Sequence, residues 1–312
     1  MSVSARRITA VLFLFGLLGG CVAPGEGDFV ADADACRAQR LALNNTASFF
    51  AENIAPGEGE APQNPGGAAA TGTAGGYLQA LRQENPNRTS LRASLAADLE
   101  RENLELDRAQ LAFDLLMDCR VRQVLAIRAV VANGSLDAAG GDAQMVRLRD
   151  RTQREVAMAQ SVRENVSKRG AEFDAAVEGV APGATKAALA ARNVPFREVR
   201  VNRATPLRLR PDAASPEIGG VEARQAVRAR ASSNGFALVE TAAGQQGYVA
   251  VDAFPSRRAL GTPRVTPAGV SGDVRSLAAS YIARRDNFVE SVAQAQAAVE
   301  AGLEMAAGQG LS

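Results

Sequence analysis

Between Ser90 and Asn133 the chain runs 44 residues without a glycine or a proline. Nothing else in the sequence restricts the fold as much. A helix is costly to nucleate and easy to continue, so a run of this kind reads as one helix of about 66 Å at 1.5 Å per residue. Leu95, Leu99, Leu106, Phe113 and Leu116 recur at three-, four- and seven-residue steps, with Ala109 on the same side. That is the spacing of a core-facing stripe. Leu104, Leu111, Leu115 and Leu125 widen it, which predicts burial over a broad face. Gly134, Gly140 and Gly141 mark a turn, and Asp142 is a good N-cap for a second helix reaching about Val177. Met145, Leu148, Val156, Ala159, Val162, Val166 and Phe173 lie near one face of it. Two long helices joined by a short turn pack most simply as an antiparallel hairpin, here over residues 77–180. Its stripe serves either as a seam within the chain or as a zipper onto a partner.

The flanking segments have their own signatures. Residues 31–54 read as a helix, with Cys36, Leu41, Leu43, Phe49 and Phe50 at its apolar positions. Residues 55–76 hold seven glycines and three prolines, too little apolar surface to offset the entropy of ordering, so they read as a linker. A short helix is expected around Thr185 to Ala191. Across residues 196–255 the period changes from about 3.6 to 2, in short runs separated by Pro, Gly, Asn and Ser, the mark of a small all-β domain. Residues 256–272 form a second, Pro-containing linker with Pro263 and Pro267. Residues 273–306 read as an amphipathic helix striped by Val274, Leu277, Tyr281, Phe288, Val292, Ala295, Val299 and Leu303. It either returns to the hairpin or pairs with another chain. The expected fold class is mainly α, a long helical hairpin or coiled-coil bundle, plus a small β barrel.

The order of residues in the β segment resembles the bacterial SH3 (SH3b) family. Leu207-Arg208-Leu209-Arg210-Pro211 stands where that family opens with a Leu-x-Val-Arg-like strand and a Pro-containing loop. Asn234-Gly235-Phe236 stands for its Asn-Gly-Trp turn, and Gly247-Tyr248-Val249 for its Gly-aromatic-Val strand. Phe236 replaces the usual Trp, and Gln225 occupies a frequent turn glycine. The resemblance covers about 55 residues and implies an SH3-like barrel that binds peptidoglycan or a protein segment. Asn234, Phe236 and Tyr248 are its candidate binding groove; alternatively, Phe236 and Tyr248 only fill the barrel.

At the N-terminus, Arg6 and Arg7 precede an apolar run from Ile8 to Leu18, followed by Gly19, Gly20 and Cys21. A basic region, a short apolar region and small residues make a secretory signal, too short to remain as a spanning helix. With the cysteine directly after, the segment resembles a bacterial lipoprotein signal. The resemblance implies removal of residues 1–20, lipid such as palmitate on Cys21, a tether over residues 21–30, and a protein held at the membrane facing the periplasm. Val22, rather than Asp, points to the outer membrane. With Cys21 assigned to lipid, Cys36 and Cys119 remain as an even pair in an oxidising compartment, and they form either a disulfide or two free thiols.

Composition removes several function classes. The chain has no histidine, so Ser-His-Asp and Cys-His chemistry and the usual zinc hydrolase sites are out of reach. No GxxxxGK[ST] loop is present. The 35 basic and 34 acidic residues leave no positive field for nucleic acid. No catalytic residue, metal or cofactor is expected. Two functions remain: a non-enzymatic envelope protein whose SH3b-like domain binds peptidoglycan or a wall-associated protein, or an accessory of a multiprotein envelope machine that assembles, as homo- or hetero-oligomer, through its helices.

Overall fold

The structure, a computed structural model, describes residues 34–52 and 75–308, with side chains up to residue 299. The expected signal, the tether, Cys21 and nearly all of the first linker lie outside the described residues.

Among the described residues six helices appear in chain order: α1 (Arg37–Ala51), α2 (Gly76–Glu84), α3 (Arg88–Ala132), α4 (Ala138–Val180), α5 (Ala184–Arg192) and α6 (Val274–Gly308). Asn85 and Pro86 separate α2 from α3, because the residue before a proline is pushed out of the helical region. Asn87 then caps α3, its side chain accepting from the Ser90 N–H at 2.9 Å. Gly134, at φ 77°, takes the left-handed position that ends α3. The next helix starts earlier than expected. Asp137, not Asp142, is the cap; its carboxylate accepts from the Gly140 N–H at 2.8 Å, so Gly140 and Gly141 lie inside α4.

α3 and α4 form the hairpin, and α1 and α6 both pack on it within the chain. Leu95, Leu99, Leu106, Phe113 and Leu116 are buried against Val156, Ala159, Val162, Val166 and Phe173. Aromatic rings plug the middle: Phe113 meets Phe288 with centroids 6.2 Å apart, and Phe173 meets Tyr281 at 5.3 Å. The broad burial expected of α3 is not found. Leu104, Leu111, Leu115 and Leu125 are all roughly half exposed. Cys36, the N-cap residue of α1, is bonded to Cys119 of α3, with their Cα atoms 5.9 Å apart.

Arg169 closes the bundle at the other end of α1. Its guanidinium donates to the Glu102 carboxylate and, at 2.8 Å, to the Glu52 carbonyl. The same group lies 4.9 Å from the Phe49 ring centroid. Burial pushes the Glu102 carboxyl above its usual range, and Arg169 offsets only part of that.

Between α5 and α6 lie six short strands: β1 (Arg197–Arg200), β2 (Thr205–Arg208), β3 (Glu217–Val221), β4 (Ala226–Ala231), β5 (Phe236–Glu240) and β6 (Gln246–Ala250). Every pairing is antiparallel, in the order β1-β4-β5-β6-β2-β3. Among the described residues the terminal strands β1 and β3 do not pair, so the sheet is open where the sequence suggested a closed barrel. Both faces are nonetheless covered. Val227, Ala229, Val239 and Val249 fill one core; Phe236, Leu238 and Tyr248 lie in a second cluster with Phe196. Four successive residues of β5, Phe236 to Val239, are therefore buried.

Residues 256–272 are not a free linker. They begin with a 3-10 turn at Arg257–Leu260 and place Arg264, only 6% exposed, against α6, where it pairs with Asp286 and Glu290. The described helices and the sheet accordingly belong to one compact unit.

Candidate functional site

Two of the three candidate groove residues, Asn234 and Phe236, line one groove, and Tyr248 does not. The turn between β4 and β5 holds Asn234 at φ 55° and Gly235 at φ 77°, the two left-handed positions that a type I′ hairpin turn needs. Asn234 also reaches the Pro211 carbonyl at 3.4 Å, tying this turn to the β2–β3 loop. Phe236 follows on β5. Together they form one wall of a groove of about 650 Å³. Arg257, Pro263, Val265 and Thr266, from the segment whose prolines predict a linker, line it as well. Asn287 of α6 completes it. Its amide is held at both ends, accepting from Arg192 and donating to the Thr266 hydroxyl at 2.8 Å.

The groove combines an apolar floor with a polar rim. Phe236 and Leu260 are nearly closed off, whereas Val265 is 68% exposed. Ser232, Ser233 and Asn234 supply donors and acceptors, and Arg257 supplies a cation. No carboxylate is among its lining residues, and no group of three or more metal-ligating side chains occurs among the described residues. This chemistry suits capture of a ligand with hydroxyl, amide or carboxylate groups beside apolar ones. Arg257, Val265, Thr266 and Asn287 were not found from the sequence. Prolines around Val265 hid any periodic signal, and Asn287 lies off the apolar stripe of its helix.

Tyr248 shares a buried cluster with Phe236 but does not line the groove. It is 4% exposed on β6, facing α6, where its hydroxyl donates to Glu290 Oε1 at 3.2 Å. Burial, then the Glu290 charge, hold the phenol well above its ordinary value. Arg230 of β4 and Arg264 join the same carboxylate. Gln294 donates to Gln246 at 2.6 Å one turn along. Tyr248 thus belongs to the seam between sheet and helix, because this sheet buries its second face as well as its first.

A second polar contact fixes the sheet to α3. Arg210 grips Asp118 through two nitrogens, at 2.5 and 3.0 Å. Nearby, partly buried Asp114 accepts from Gln110 at 2.9 Å. Burial pushes its carboxyl up to about 6, and Asp118 adds to this, while Gln110 and Arg210 oppose it. A folded value above the unfolded one means that the folded state holds its proton longer. Stability therefore falls as pH rises from about 4 to about 6, and the penalty is complete above that. Asp114→Asn should remove it. Urea unfolding is expected to show the variant about 1–2 kcal/mol more stable than the parent at pH 7.5, with little difference at pH 4. A constant difference across that range would contradict the assignment.

Among the described residues no helix is long and apolar enough to cross a membrane. No protein-family model, curated protein or solved structure matches the chain.

Proposed function

We propose that this chain is a non-enzymatic, lipid-anchored protein of the bacterial cell envelope, facing the periplasm from the outer membrane. Its β unit is an SH3b-type module that binds peptidoglycan or a wall-associated protein. The observation that carries this reading is the groove beside Asn234, with its apolar floor, amide and hydroxyl rim, and single guanidinium. A glycan-peptide polymer offers matching groups: hydroxyls, amides and carboxylates on a chain with methyl-bearing side groups. The lipoprotein-like segment ending at Cys21 supports the anchor.

A second reading is favoured by a different surface. Leu104, Leu111 and Leu115 stand at half exposure on α3, at seven- and four-residue spacing. That is the pattern of a helix face awaiting another helix, and it supports an assembly accessory.

One pull-down with isolated sacculi and envelope extract separates the two. Arg257→Ala and Val265→Ser alter exposed groove residues without touching the core. If the groove binds, each should weaken capture by more than about 1 kcal/mol, roughly fivefold, at an unchanged melting temperature. Capture that survives both changes but is lost in Leu111→Asp would overturn the groove in favour of assembly through α3. Cys21→Ser should leave an unprocessed or soluble product; unchanged membrane fractionation together with an unchanged mature mass would sink the anchor.

A further inference from the structure

The groove beside Asn234 has its hydrogen-bonding capacity unevenly spent. Arg203, Arg208, Arg228 and Arg230 of the same β unit each pair with a carboxylate. Arg257 does not. It stands exposed at the groove, and its guanidinium has no hydrogen bond or ion pair among the described residues. Ser232, also in the lining, is only 9% exposed, yet its hydroxyl has no partner among the described residues. A nearly buried hydroxyl left unpaired is costly, and a ligand in the groove can supply what the chain does not. Thr266 accepts from the Asn287 amide at 2.8 Å, which leaves its hydroxyl hydrogen to donate.

The acceptors, in contrast, are largely engaged. The carbonyls of Ser233, Gly235, Phe236, Pro263 and Val265 each already take a bond from the chain. Asn287 Oδ1 is taken by Arg192. No carboxylate lines the groove. Asn234 turns its amide nitrogen to the Pro211 carbonyl, so its Oδ1 remains for an N–H.

This imbalance discriminates between the parts of a glycan-peptide polymer. A sugar hydroxyl brings a donor with every acceptor and needs acceptors around it; an ionised carboxylate only accepts. The end of a peptide offers that carboxylate, an N–H beside it, and a side chain for the apolar floor of Phe236 and Leu260. We propose, resting on the groove as the binding site, that it takes the free carboxylate end of a peptide and leaves the glycan outside. Arg257 holds the carboxylate, for which its planar fork is suited. Ser232 and Thr266 donate to the same end, and Asn234 accepts the neighbouring N–H.

NMR titration of the full chain with N-acetyl-alanyl-alanine, in its L and D forms, tests this against the C-terminal amide of each and against triacetylchitotriose as a glycan probe. At least one free acid should bind at one site, about tenfold more tightly than its amide, because hydrogen bonds to a charged group are the stronger ones. Arg257→Gln should bring acid and amide to within about twofold. Arg257→Lys keeps the charge without the fork and should retain part of the preference. Ser232→Ala should weaken binding of the acid at an unchanged melting temperature. Equal binding of acid and amide, a preference that survives Arg257→Gln, no saturable binding of either acid, or saturation by the glycan probe in their place overturns the proposal. Competition separates the sources of the peptide end. Sacculi displaced by the acid identify a wall peptide, and acid binding without capture of sacculi identifies a protein C-terminus. Sacculi held through Arg257 but indifferent to the acid would refute the carboxylate proposal and leave wall binding by the groove standing.

Discussion

Arg169→Ala is expected to cost about 3–5 kcal/mol of stability, the usual range when one partner of a buried ion pair is removed. Glu102, wholly buried on α3, would be left as a carboxylate without its guanidinium. The same change strips the Glu52 carbonyl and the Phe49 ring of their partner, so the end of α1 should loosen with it. Two controls make the result specific. The Glu102 carboxyl is already pushed up by burial, so it neutralises readily as pH falls, and the variant's deficit should shrink towards acid. The double replacement Glu102→Leu with Arg169→Met should recover most of the loss, since apolar residues of similar volume often match a buried pair. Chemical denaturation at two pH values measures all of this. A loss below about 1 kcal/mol for Arg169→Ala would show that water reaches the pair.

Removing the Cys36–Cys119 bond should have an effect of similar size. The two residues are 83 positions apart in sequence. Closing a loop of that length restricts the unfolded chain by roughly 4.5 kcal/mol in the chain-entropy estimate, with measured values more often 2–4. The Cys36→Ala, Cys119→Ala double variant is expected to unfold at correspondingly lower denaturant. Hydrogen exchange should speed up first in α1, which otherwise rests on Leu43, Phe50 and the Arg169 contacts. Unchanged stability would mean that packing alone holds α1 in place.

The sequence carried the helices well and the contacts between elements poorly, for identifiable reasons. Leu95, Leu99, Leu106 and Phe113 were readable as core because one regular stripe predicts one buried face. Leu104, Leu111 and Leu115 look like an extension of it, because hydrophobicity alone does not say how wide a neighbour is. Asp137 and Asp142 are equally good caps on paper; the geometry of Gly140 and Gly141 decides between them. The cysteine pair was legible as one of two alternatives, by counting. Tyr248 was not, since alternation along a strand leads one to expect a single buried face, and here α6 covers the other. The Arg264–Glu290 and Arg192–Asp286 contacts join residues 26 and 94 positions apart, with no local pattern to announce them. The Asn234–Gly235 turn was visible because its backbone demands those two residues; the rest of the groove was not, because nothing local does.

The open sheet has one more consequence. A ladder that ends in β1 and β3 has two rims, and each rim is a row of backbone donors and acceptors that a strand from another molecule could extend. Such rims are where proteins join into ribbons. β1 is four residues long, and three of them are Arg197, Glu198 and Arg200. β3 carries Gly219 and Gly220 in its middle, residues that weaken a strand as a template. One rim repels a newcomer through charge and the other gives it little to hold, so the sheet can remain unclosed without recruiting copies of itself.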